Sequence, residues 1–235
     1  MTAVADPPTA RPFATGFQLA RRAGAAPALQ AMTDALGGPP PIGHQRIGVV
    51  LGRQVLPSAR ALLVVEAPGG PVTFVRWTAD AAHLVPDDRP ARNATNAADV
   101  AVEAGTDLRA RWTTGLAWIR LGLSIGLRDA CLDYLSGRRT GSALLVHDPM
   151  IKCQLTDAFV AQLEYEELLG HDDAPLPAAV RTEVHRGLTE LDRDLLRLLG
   201  ASGFAADGPG GTAQASELLA EICATWQTPD LGDQP

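Results

Sequence analysis

Two short turns in this 235-residue chain carry residue types that suit the binding of an anion. One is Arg138-Arg139-Thr140-Gly141, and the other is Gly200-Ala201-Ser202-Gly203. A guanidinium at a helix end can hold a phosphate or pyrophosphate through charge-assisted, bidentate hydrogen bonds. A glycine turn lets backbone N–H groups approach the same ligand without a Cβ in the way. A second reading stays open, in which Arg138 only caps a helix C-terminus and Gly200 only stops the next helix. Glu217 and Glu221, on the last expected helix, read by themselves as ordinary solvated carboxylates. Glu164, Glu166, Glu167, His171, Asp172 and Asp173 form an acidic run without the Glu-x-x-His spacing of di-iron bundles, so it reads as a solvated helix end and no metal site is expected. His147-Asp148-Pro149 reads as a helix cap, with Asp148 at the N-cap and Pro149 at the first position.

These residues need helices to position them. Leu116, Ile119, Leu123, Leu127, Cys131 and Tyr134 recur at helical spacing before the Arg138 turn. Ile151, Leu155, Phe159 and Leu163 do so after it, which predicts an antiparallel helical hairpin inside a bundle. A third helix is expected from about Leu176 to Leu199, striped by Leu176, Val180, Val184, Leu188, Leu191, Leu195 and Leu198 and ended by Gly200. Residues 203–211 read as a loop, and Glu217 to Trp226 as a short last helix. Upstream, residues 1–16 read as a loose tail, Phe17 to Leu36 as one helix, and His171 to Ala174 as a polar connection. Ala61 to Val65 and Val72 to Val75 read as a hairpin around Pro68-Gly69-Gly70-Pro71, with Ala98 to Val102 as a third strand. The expected fold is mainly α with a small β-domain. Its segments are 1–45 (helical start), 46–108 (small sheet), 109–228 (helical bundle) and 229–235 (tail).

Composition narrows the function classes. The formal net charge of −7 gives no electrostatic reason for nucleic-acid binding. No apolar run reaches the roughly 20 residues of a membrane span. Cys131, Cys153 and Cys223 are odd in number and far apart, which suits a reducing cytoplasm rather than a disulfide framework.

From about residue 60 onward the chain resembles the acyl-CoA dehydrogenase family. Asp129, Tyr134 and Arg138 match its pattern at the end of the first bundle helix, and Gly141 sits near that pattern's glycine. Leu155-Thr156-Asp157 resembles the Leu-Ala-Asp signature of the next helix. Leu198-Leu199-Gly200-Ala201-Ser202-Gly203-Phe204 resembles the Leu-Leu-Gly-Gly-x-Gly-Tyr turn, with Pro209 at the family distance. The resemblance implies a C-terminal four-helix bundle, with FAD at a dimer interface touched by Arg138, Gly141, Gly200 and Gly203. It also implies α,β-desaturation of an acyl thioester carried on CoA or an acyl carrier protein.

The chain departs from the family where chemistry is done. The Thr-Glu-Pro-x-Gly-Ser-Asp pattern is missing before Ala61, and Pro149 stands where an adenine-contacting Gln is usual. The two positions used for the catalytic glutamate read Trp112 and Ala224, neither of which can act as a base. Glu221, one turn before Ala224, is the candidate displaced base. The expected context is therefore a homodimer, or a heteromer with a full-length subunit that supplies the missing parts. The alternatives are a flavin-free binding or structural protein and a redox-neutral tailoring enzyme on the same scaffold.

Overall fold

The computed structural model describes residues 12–40, 47–53, 59–77, 97–170, 176–204 and 208–227. Those residues form six α-helices and two small antiparallel sheets: α1 (Pro12–Ala23), α2 (Ala25–Leu36), β1 (Ile47–Leu51), β2 (Ala59–Val65), β3 (Val72–Trp77), α3 (Ala97–Ser136), β4 (Arg139–Thr140), β5 (Ala143–Leu144), α4 (Pro149–Leu169), α5 (Ala178–Leu199) and α6 (Gly210–Gln227). The fold is thus mainly helical with a small sheet. Residues 1–11 of the expected tail, the connection His171–Ala174 and the tail 229–235 lie outside the described residues.

The helix expected over Phe17 to Leu36 is two helices. Gly24 has φ 91° between them, and a Cβ there would lie 1.7 Å from the Pro68 carbonyl oxygen. Only glycine takes that conformation and that approach together. Pro27 lies in the first turn of α2, where its missing N–H costs nothing. α1 and α2 then pack on α3 through Phe13, Phe17, Ala20, Ala28, Leu29 and Met32, all buried.

The expected hairpin is present as β2–β3, with a bulge between Ala61 and Leu63. Its third strand is β1, and the order is β1-β3-β2. Ala98 to Val102, expected as that strand, lies instead in the first turns of α3. Five residues offer too short a window to separate a buried strand from a buried helix turn. Val65, Val72 and Phe74 turn one sheet face into the main core. α6 starts against the sheet, because a Cβ at Gly211 would lie 2.0 Å from the Glu66 carbonyl oxygen.

α3, α4, α5 and α6 make a four-helix bundle that alternates in direction. α3 and α5 run parallel: Thr114 Oγ1 accepts from the Leu176 N–H at 3.2 Å, and Cys131 Sγ lies 3.3 Å from the Leu195 carbonyl. The α3 stripe is buried as expected, from Leu116 to Cys131. The α4 stripe is not. Leu155 is buried, but Phe159 and Leu163 are 46% and 45% exposed, and the inward face is Leu155, Ala158, Gln162 and Leu169. Arg128 on α3 explains the rotation: it draws Gln162 inward through a 2.6 Å hydrogen bond and sits 5.1 Å above the Phe159 ring at the surface. The cap on α4 is as expected, with Asp148 Oδ1 accepting from the Met150 N–H at 2.8 Å and the Ile151 N–H at 3.4 Å. α6 is longer than the helix expected from Glu217, because residues 210–216 extend it N-terminally.

Candidate functional site

The bundle interior has two apolar clusters. One joins α1, α2, the sheet, the middle of α3, the N-terminal half of α5 and α6. The other holds Leu127, Cys131, Leu135, Leu155, Leu195 and Leu199. Where they meet, the chain buries charge. Arg120 is 0% exposed, His185 6% and Asp192 3%, with Ser124, Gln162 and Ser216 buried beside them.

The hydrogen bonds tie three helices together. Arg120 Nε donates to Ser216 Oγ at 3.1 Å, and Ser216 Oγ donates to Asp192 Oδ2 at 2.8 Å. Arg120 Nη1 donates to the His185 carbonyl at 2.7 Å and faces His185 Nδ1 at 3.0 Å, while Nη2 donates to Thr189 Oγ1 at 2.7 Å. A guanidinium can only donate, so Nδ1 must accept and the imidazole carries its proton on Nε2. On the far side, Gln162 Nε2 donates to Ser124 Oγ at 3.0 Å. The opposite charges of Arg120 and Asp192 are therefore joined through one serine hydroxyl rather than paired directly.

Burial dominates the electrostatics. Desolvation pushes the Asp192 carboxyl up to about 6, and Arg120, then the Ser124 and Ser216 hydroxyls, only partly offset it. Desolvation and the Arg120 charge push His185 down to about 3, against a weak opposite pull from the Thr113 backbone carbonyl. Burial raises the Cys223 thiol to about 12, so it is no nucleophile at neutral pH. Asp192 Oδ1 and His185 Nε2 have no partner within hydrogen-bond geometry. Ser124 is close enough to stabilise the carboxylate without meeting that geometry.

This network floors a groove between α5 and α6. One cavity of about 450 Å³ includes Glu66, Asp192, Phe204 and Glu217, and a second of about 290 Å³ includes His185, Glu221, Cys223 and Ala224. Thr189 and Arg193 line both, and Arg193 pairs with Glu217 across the groove between them. The arrangement has room for a small polar molecule and can hold a proton on Asp192 below about pH 6.

The residues singled out from sequence fall in two places. Leu135 and Leu199, near the ends of α3 and α5, share one cluster, so the Arg138 and Gly200 turns lie at the same end of the bundle. Arg138 is exposed there, with Nη2 donating to Tyr134 Oη at 2.6 Å and its guanidinium 4.7 Å from the Tyr134 ring. Gly141 (φ 61°) and Gly200 (φ 53°) are exposed, with open space where a side chain would stand, and Gly203 is buried against Leu199. Glu221 is exposed on α6, eleven residues from the helix start that touches Gly203, or roughly 16 Å along the axis. Trp112 is fully buried in the main core. The two cavities of the α5/α6 groove do not include Arg138, Gly141, Gly200 or Gly203. One chain offers a phosphate an arginine and open backbone, but its described residues do not enclose a flavin.

Sequence reasoning passed over Arg120, His185, Asp192 and Ser216. A signal was present: Arg120 stands in the run Trp118-Ile119-Arg120-Leu121-Gly122-Leu123, apolar on every side, and a helix apolar all round is buried all round. His185 and Asp192, seven residues apart, share the apolar side of α5 with Val184, Leu188 and Leu195. No protein-family model matches the chain, and no curated protein matches it.

Proposed function

We propose that this chain is an acyl-CoA dehydrogenase-like subunit, associated with FAD-dependent α,β-desaturation of an acyl thioester on CoA or a carrier protein, and that it works in a dimer or larger assembly. What supports the reading is one observation. The alternating bundle carries the Arg138 turn and the Gly200 turn at the same end; that both lie on open surface within one chain is what the flavin-free reading expects, so the flavin reading requires a second subunit there. A guanidinium and free backbone on an open end suit a pyrophosphate held jointly with a second subunit. The isoalloxazine walls and the base would then come from that subunit, since Trp112 and Ala224 offer no carboxylate.

A second reading has its own observation, the buried Asp192 and His185 under the α5/α6 groove. It makes the chain a flavin-free binding protein. The visible absorption spectrum of the purified protein, alone and with added FAD, separates the two. The first reading expects oxidised flavin near one per chain or per dimer, with Arg138→Ala weakening FAD binding about tenfold or more. No flavin under either condition refutes the flavin role and leaves the groove as the site to probe.

A further inference from the structure

Five of the large apolar side chains that the described residues expose lie on α4: Met150, Phe159, Val160, Leu163 and Leu168. At about 100° per residue, the buried Leu155, Ala158, Gln162 and Leu169 fix the inward side of this helix. Val160, Glu164 and Glu167 then point directly away from the bundle, with Leu163 and Leu168 beside them. A shallow groove of about 590 Å³ runs along these residues.

Apart from the favourable Asp148 cap, the charges along α4 run against its helix dipole. No basic residue lies in its last turn, where Glu166 and Glu167 follow Glu164, and no acidic residue lies in its first turn, where Lys152 follows closely. The neighbouring turn adds exposed Arg138 and Arg139 to the same end. Carboxylates at a helix C-terminus and cations at its N-terminus are each unfavourable. Among the described residues none of Lys152, Glu164, Glu166 and Glu167 forms an ion pair. An antiparallel copy of the same helix would correct both ends at once, setting the acidic end of one α4 beside the basic end of the other.

We propose that the outer face of α4 is the surface on which a second copy of this chain docks, with the two α4 helices antiparallel about a two-fold axis near Phe159 and Val160. That register brings Lys152 beside Glu167 of the second copy and Met150 beside Leu168. It leaves one like-charged contact, Asp157 near Glu164. The inference shares with the proposed function only that the chain assembles: a second copy carries the same Trp112 and Ala224 and supplies no base, so the α4 interface is additional to one that would complete a flavin site.

The test is the solution mass of the full chain by light scattering, followed by dissociation constants for variants. The protein should have twice the mass of one chain. Leu163→Glu, at an exposed position, should give a monomer with unchanged helical circular dichroism. Lys152→Glu and Glu167→Lys should each weaken the dimer about tenfold, and the two together should restore it. Asp157→Lys should tighten it. A monomeric wild type, a dimer indifferent to Leu163→Glu, a double variant no better than the single ones, or a complex with a different protein in place of the second copy overturns the proposal. A flavin-free dimer through α4 keeps this inference and sinks the flavin role, and a flavin-bearing monomer does the reverse.

Discussion

Replacing Asp192 with Asn should change how stability depends on pH, and the direction tests the account of the buried network. The carboxyl ordinarily titrates near 3.8, and burial places it at about 6. A raised pKa means the folded state holds a proton that the unfolded state has released. The contribution to stability is therefore fully present below the ordinary value and lost as pH rises through 6. The difference amounts to about 3 kcal/mol, an order-of-magnitude figure from 1.36 kcal/mol per pKa unit. His185 works in the opposite sense. Its pKa falls from 6.5 to about 3, so its stabilising contribution is present above 6.5 and lost as pH drops toward 3. Between pH 6 and 4 the two nearly cancel, one group gaining what the other loses. Urea unfolding of wild type and Asp192→Asn from pH 7.5 to 4 reads the difference directly. The wild type should gain roughly 2 kcal/mol on the variant as the pH falls across that range, the remainder appearing only below pH 4. A difference constant with pH, or one that shrinks toward pH 4, would refute the reasoning. Either would mean that Arg120 holds the carboxylate as a direct ion pair strong enough to overcome desolvation.

Two further outcomes follow from the packing. Arg120→Met should lower stability by about 3–5 kcal/mol, because it strands Asp192 as a buried charge, and adding Asp192→Asn should recover part of that loss in a double-mutant cycle read by urea unfolding. Gly24→Ala should lower the melting temperature by more than about 5 °C, since a left-handed φ and the approach to the Pro68 carbonyl both oppose a Cβ; an unchanged melting temperature would mean that the α1–α2 joint is not as tight as described.

The sequence by itself determined the elements whose signals are local. The α3 and α5 stripes, the β2–β3 hairpin around Pro68 to Pro71, the Asp148 cap and the stop at Gly200 all follow from periodicity and turn chemistry within one stretch of chain. The break at Gly24 did not, because what demands a glycine there is the backbone of Pro68, forty-four residues away. The rotation of α4 was likewise out of reach: Phe159 and Gln162 exchange their expected sides through Arg128 on another helix. The buried network belongs to the tertiary structure most of all. Arg120, His185, Asp192 and Ser216 come from three helices, and although the apolar run around Arg120 signals its burial, nothing local says which groups it meets. Hydrophobic periodicity tells a helix which side to bury. Only the packing of its neighbours decides which charges go in with that side, and what they then hold.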